Sequence, residues 1–376
     1  MNSQNRSYAI LSSFPPTACG IATFSAALGA GLVANGADVD VVRTGAAPDM
    51  EDSLVLASLD DGPGAAADIL NGADVAIVQH EYGIYDGPDG DALLAVLDQV
   101  VVPTIVVAHT VLRTPTANQR TVLERVCDSA EAVVVMTESG RERLVDGFDV
   151  EASKILVIPH GAATPPTSAA DAEVRTGRSP VLLTWGLLGP GKGIEWAIDA
   201  MAELSDLRPR PHYVIAGATH PKVRAHSGEA YREMLVRRAW NVGAAPHVSF
   251  DDSYRDLAAL TELIRSADLV VLPYDSKDQV TSGVLVDAVA AGRPVVSTAF
   301  PHAVELLRSG AGLVVPQRDP QALADAIRSV LTDPALAEGM AAEARRLAPD
   351  LSWNAVAGQY GGLADELLAV HDGVPA

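Results

Sequence analysis

Short apolar runs alternate with helical periodicity from one end of the chain to the other. In the first half, runs at residues 8–12, 39–42, 75–79, 104–108, 132–136 and 155–158 have the length and β-branched content of strands. After the first run, Ile21, Phe24, Leu28 and Leu32 fall on one helical face, and Gly36 can close that helix. Residues 162–179, rich in Ala, Thr, Pro and charge, break the pattern and read as a linker. The pattern then restarts at 181–185, 213–216, 248–250, 269–272, 295–297 and 313–315. Helical patterns at 321–331, 334–347 and 354–368 follow. Apolar strands alternating with helices predict parallel sheets covered on both faces. The fold class is therefore α/β: two Rossmann-like, doubly wound parallel-sheet domains, over residues 1–165 and 175–347, with 348–376 as a terminal segment. Ligands of such sheets sit beyond the carboxyl ends of the strands, and two such domains facing each other make a cleft.

Composition narrows the function. A chain of 376 residues with 48% hydrophobic residues can fill two cores. No run approaches the roughly 18 apolar residues of a membrane span, and none of signal-peptide type precedes Tyr8. Cys19 and Cys127 are too few and too far apart for a disulfide framework, so a reducing cytoplasm is expected. A formal charge of −21 argues against nucleic acid and anionic lipid, which both call for a basic face. The lysines are Lys154, Lys192, Lys222 and Lys277. Lys192 stands out because it lies between two glycines.

The richest stretch for chemistry is VTSGVLVDAVAAGRPVVS, residues 280–297. Ser282 and Gly283 open a helix with Val284, Leu285, Ala288 and Val289 as its apolar stripe, and Gly292 stops it. Such a helix start offers backbone N–H groups around Ser282, Gly283 and Val284 to an anion. Asp287 follows about one turn later, which suits a ligand with phosphate at one end and hydroxyls at the other. A nucleotide fits. The loop from Gly186 to Gly193 follows a strand and carries Lys192, but lacks the Ser or Thr of a P-loop. It holds either a phosphate-facing lysine or a solvated turn. The loop after the first strand contains Gly20 but no dinucleotide fingerprint. His80 and His109 follow apolar strands and can face the mouth of the sheet, or be satisfied core groups. Glu81 can orient an acceptor hydroxyl or lie on the surface. Asp38 with Asp40, and Asp89 with Asp91, read as structural, and no His/Cys/Asp cluster has metal spacing.

These motifs together resemble the retaining glycosyltransferases of the GT-B fold, family 4, over nearly the whole chain. WGLLGPGKG at 185–193 resembles the family's donor loop. Residues 278–296 resemble its E-x7-E region and the AxxxGxPV that follows. SFPPTACGIA at 13–22 resembles its N-terminal loop, and the segment from Leu351-Ser-Trp353 onward resembles the terminal helix that crosses back to the first domain. Residues 80–85, 217–221 and 228–232 resemble a subgroup that points to mannose as the sugar. Three positions depart: the first Glu falls on Gln279 and the second on Asp287, and Leu187 stands where a basic residue is usual.

The resemblance implies transfer of a hexosyl group from a nucleoside-diphosphate sugar to a carbohydrate or other hydroxyl acceptor. Asp287 would hold the ribose, Gln279 the sugar, and Lys192 with the helix start the diphosphate. Gly20, Gly186, Ser282, Gly283 and Val284 belong to the same nucleotide-binding set, His109 to the reacting centre, and His80 with Glu81 to the acceptor side. No cofactor beyond the co-substrate and no metal is expected. A silent nucleotide-sugar binder, a GT-B epimerase and a phosphorylase remain as alternatives.

Overall fold

The computed structural model describes residues 6–17, 19–45, 54–163, 178–253, 255, 257–371 and 373. Most of the expected linker at 162–179 lies outside them. The chain forms two units, Met1–Gly161 with Trp353–Ala376, and Ala162–Ser352. The terminal segment is thus divided: Ala348 and Leu351 are buried in the second unit, while the last helix belongs to the first.

In the first unit, β1 (Ser7–Ser12) leads through α1 (Gly20–Ala34) to β2 (Asp38–Arg43) and β3 (Val55–Ser58). Then follow α2 (Pro63–Asn71), β4 (Val75–His80), α3 (Leu94–Leu97), β5 (Thr104–Ala108), α4 (Ala117–Asp128), β6 (Ala132–Val135), α5 (Glu138–Gly147) and β7 (Ile155–Val157). The sheet order is β3-β2-β1-β4-β5-β6-β7, and all pairs are parallel. The order reverses between β1 and β4, which makes the carboxyl ends of those two strands the switch point. β3 has no counterpart among the predicted strands. It is a four-residue edge strand with Leu56 exposed, so it lacks the apolar run that marks a central strand.

In the second unit, β8 (Val181–Trp185), α6 (Ile194–Glu203), β9 (His212–Ala216), α7 (Pro221–Ser227), α8 (Ala230–Asn241) and β10 (Val248–Asp251) form one half. The other half is α9 (Leu257–Ser266), β11 (Leu269–Leu272), α10 (Gly283–Ala290), β12 (Val295–Thr298), α11 (Pro301–Leu306), β13 (Gly312–Val315), α12 (Pro320–Thr332) and α13 (Pro334–Leu347). The six parallel strands run β10-β9-β8-β11-β12-β13, with the switch between β8 and β11. The last helix, α14 (Trp353–His371), buries Val356, Tyr360 and Leu363 against Phe24, Leu28 and Leu32 of α1. Each such side chain contributes about 1.5–3 kcal/mol. The two helices meet at Gly31, where a Cβ would lie 2.8 Å from the Trp353 carbonyl oxygen.

One device recurs at the amino ends of both sheets. Asp74, just before β4, accepts hydrogen bonds from the Ser7 N–H and hydroxyl. Asp268, just before β11, accepts from the Val181 N–H and pairs with Arg178. In each unit a carboxylate ties the first strand to its neighbour across the switch, so the carboxyl ends emerge in fixed register.

Candidate active site

At the carboxyl edge of the second sheet, the loop after β8 is laced to its neighbours by backbone bonds. Gly186 N–H donates to Ala216, Leu188 N–H to Ala218, and His220 N–H to Leu188. Asp275 N–H, beyond β11, donates to the Gly191 carbonyl at 3.1 Å. Gly193 is the tightest point. Its φ is +61°, and a Cβ there would run into the Pro273 carbonyl oxygen. This loop holds Lys192 with its Nζ 4.3 Å from the centre of the Tyr274 ring. Tyr274 is fully buried and stacks on Phe300. Among the described residues Lys192 has no carboxylate partner, so its ammonium is held by an aromatic face and left without a counter-ion.

The start of α10 lies against the same loop, where a Cβ on Gly186 would be 3.5 Å from Val284 Cγ2. Ser282 caps the helix, its Oγ accepting from the Leu285 N–H at 3.3 Å. The expectation of free N–H groups at Ser282, Gly283 and Val284 is corrected at one position. The Ser282 N–H donates to His302 Nδ1 at 2.9 Å, so the groups left for an anion are those of Gly283 and Val284. His302, on α11 and buried, went unnoticed in the sequence because nothing in its spacing ties it to Ser282. Asp287 is partly exposed, yet desolvation raises its carboxyl to about 7. Gln279 turns its amide N–H onto the Thr281 carbonyl at 3.1 Å.

Two subgroup motifs brace this edge. Thr219 donates to Glu229 at 2.5 Å, Arg232 donates to the Gly217 carbonyl, and Tyr231 donates to Glu195 at 2.9 Å. Through the Leu188–Thr219 bridge they hold the lysine loop.

The edge of the first sheet is built from rings. His109 Nε2 is 2.7 Å from Gln79 Oε1, and its ring stands edge-on to Phe24. Phe24 also meets His160 and Trp353 edge-on. Burial holds His109 near 3 and His160 near 4, so both imidazoles are neutral at ordinary pH. His80 is likewise neutral, held near 4 by burial. The two strand-end histidines do not share a face. In β4 the odd-numbered side chains pack towards α1 and α14 and the even-numbered ones towards α2 and α4. Gln79 and His109 are therefore on the α1 side, while His80 packs on Tyr82 on the other. Glu81 accepts from the Gly83 N–H at 2.8 Å and shapes that turn. Gly20 begins α1 in open space. Asp89 accepts from Asn118 and Gln119 of α4, a structural tie. Asp38 and Asp40 lie on β2. Among the described residues, no group of three His, Cys, Asp or Glu could hold a metal ion, and no helix is long and apolar enough to cross a membrane.

Two family models match this chain in tandem, one described as Glycosyltransferase Family 4 over residues 18–164 and one as Glycosyl transferases group 1 over residues 169–347. Both halves of the chain are those of a glycosyltransferase of the GT-B type. Among curated relatives it is similar to a D-inositol 3-phosphate glycosyltransferase from Jonesia denitrificans, 29% identical over 269 residues. That match spans 66% of this chain and 58% of the relative. A second D-inositol 3-phosphate glycosyltransferase, from Kineococcus radiotolerans, is 30% identical over 62% of this chain and 57% of its own length. The chain thus spans less than two thirds of these relatives. Among solved structures, sucrose-phosphate synthase from Thermosynechococcus elongatus superposes with a TM-score of 0.77 at 21% identity, covering 97% of this chain and 100% of that one. Anabaena HepE, solved in complex with UDP-glucose, gives 0.73 at 17% identity over 96% and 99%. These likenesses establish the GT-B architecture for the two parallel-sheet domains.

Proposed function

We propose that the protein is a retaining glycosyltransferase that moves a hexosyl group from a nucleoside-diphosphate sugar to a hydroxyl acceptor. The observation that carries this reading is the Lys192 ammonium, without a carboxylate partner among the described residues, in the glycine loop whose Gly186 abuts the start of α10. Breaking the anomeric C–O bond leaves the electron pair on the nucleoside diphosphate and positive charge on the sugar. Lys192 and the Gly283 and Val284 N–H groups stabilise that developing anion without reorganising. Asp287 accepts from the ribose hydroxyls. Gln279 offers a neutral amide to the sugar, and His109 a neutral ring at the reacting centre. Lysine and helix start together supply the charge that a metal would otherwise bring, so turnover should persist in a chelator. The chain is cytoplasmic in this reading.

UDP-glucose is the first donor to test, because a GT-B neighbour holds it. GDP-mannose is the second, because the subgroup that residues 80–85, 217–221 and 228–232 resemble hints at mannose. A donor panel, run with wild type and Gln279→Glu, separates transfer from silent binding. The expected result is wild-type turnover on at least one donor, with a changed rate or sugar preference in the variant. Activity gained only in Gln279→Glu would mean that the natural chain is a degenerate enzyme.

A further inference from the structure

Gln79 stands near the end of an apolar strand, β4, and is 0% exposed. Its Oε1 lies 2.7 Å from His109 Nε2, while its own Nε2 has no hydrogen-bond partner. A buried amide with half its capacity unused is costly, and an apolar side chain of the same length would fill the space at less cost. Packing therefore does not account for Gln79; what its amide oxygen does to His109 does. The backbone behind it is anchored. Tyr85, buried and the last residue of the 80–85 motif, donates its hydroxyl to the Gln79 main-chain carbonyl at 2.6 Å and reaches that of Leu11 at 3.4 Å. These bonds tie together the ends of β1 and β4, the strands that flank the switch point. The His109 N–H donates to the His80 carbonyl at 3.0 Å, and Phe24 meets the ring edge-on with centroids 4.8 Å apart. Ring plane and Nε2 are thus fixed, and Nδ1 has no partner among the described residues. A neutral imidazole carries one proton, so an acceptor facing one nitrogen leaves a lone pair on the other.

We propose that Gln79 is a positioning residue that holds His109 as its Nε2–H tautomer, so that Nδ1 offers a lone pair to a hydroxyl of the transferred hexosyl group. The choice of tautomer is a choice of ligand group. Nδ1 as acceptor discriminates against any group with no proton to give, whereas Nδ1–H would tolerate one. The ligand in this assignment rests on the transferase reading; the tautomer is a property of the free protein.

The test begins on the free, full-length protein with long-range proton–nitrogen correlation spectra of its histidine rings, the His109 pair being assigned by its loss in His109→Asn. Wild type should show a protonated Nε2 and a bare Nδ1. Gln79→Met should move both nitrogens towards the averaged values of exchanging tautomers. If Gln79→Met fails to fold, Tyr85→Phe, which removes only the hydroxyl that anchors Gln79, should move them in the same direction. Steady-state turnover follows on whichever of UDP-glucose and GDP-mannose wild type uses. Gln79→Met should lower kcat about five- to ten-fold, the worth of one neutral hydrogen bond, and add no further loss on top of His109→Asn. A side chain that merely supported the fold would add its loss in full. Donors with fluorine in place of one sugar hydroxyl at a time complete the test. At one position the penalty in wild type should exceed that in Gln79→Met at least about five-fold, since inductive slowing is common to both proteins and cancels in the ratio. A proton on Nδ1 in wild type, an unchanged His109 pair in the folded variant, additive losses, or equal fluorine penalties at every position would each overturn the assignment. No turnover on either donor, with the spectra as expected, would sink the transferase reading and leave the tautomer standing.

Discussion

The carboxyl edges of the two sheets are laid out on one plan and filled with different chemistry. In both, a strand order that reverses beside the first strand leaves loops projecting at the switch point, and an aspartate pins the amino end. The second edge then carries glycines, a lysine without a counter-ion among the described residues, a helix start and a carboxylate whose pKa is raised to about 7. The first carries three imidazoles held neutral by burial, the rings of Phe24, Trp353 and Tyr82, and the buried guanidinium of Arg43. In the proposed reading, one edge meets a diphosphate and the other offers neutral hydrogen bonds and ring faces to a sugar. Topology places the loops, and the residues at the strand ends decide what they bind.

The contrast between charged and neutral edges is sharpest in turnover. Lys192→Ala should lower kcat by about 10²–10³-fold, a loss of about 3–4 kcal/mol, because a preorganised charge is removed from a developing anion. The counterpart in the first unit, His109→Asn, should cost only about ten-fold, the worth of a neutral hydrogen bond. Steady-state rates on one donor measure both. Equal losses would mean that the two edges do not differ as described.

Next in size is the backbone. Gly193→Ala should destabilise the second unit by about 2–4 kcal/mol, since the added methyl strikes a carbonyl and φ must stay positive. Urea unfolding followed by hydrogen exchange should localise the loss to the peptides around α6 and β11. A variant as stable as wild type would show that the loop is looser than its backbone bonds imply.

The smallest expected effect is on pH dependence, and its sign differs between the units. The imidazoles of His80, His109 and His160 are depressed below their ordinary value, so the unfolded chain binds their protons more readily. Stability of the first unit is therefore full above the unfolded histidine range, near pH 6.5, and is lost as pH falls towards 4. Asp287 is raised instead, so its unfolded form ionises first. The contribution of Asp287 to the second unit is therefore full below the ordinary carboxylate range and is lost as pH rises to about 7. Local hydrogen exchange at pH 5 and pH 8 should show these opposite trends, and Asp287→Asn should flatten only the second. Parallel trends would contradict the assigned burial.

Much of the fold could be read from the chain because buried parallel strands announce themselves as apolar runs. Each predicted run coincides with a strand to within a residue or so, whereas the exposed edge strand β3 was invisible. The helix start at Ser282 was legible because capping is local in sequence. What was not legible depends on pairings across the fold: Ser282 with His302, Lys192 with Tyr274, His109 with Gln79. The faces of the two histidines illustrate the limit. His80 pairs in register with Ala108, so His109 stands one residue further along and on the opposite side. Strand ends can be predicted to about a residue, and one residue is enough to exchange faces. Arg43 was overlooked for a related reason: a lone arginine at a strand end says nothing of its burial until its neighbours are placed.

The central claim is that the second edge holds a diphosphate through Lys192. The most direct measurement is a calorimetric titration of UDP, GDP and ADP into wild type and Lys192→Ala, with circular dichroism to confirm equal folding. At least one nucleotide should bind wild type and weaken at least about 100-fold in the variant, a loss of about 2.7 kcal/mol. Equal affinity in the two proteins, or no binding to wild type by any of the three, would contradict it.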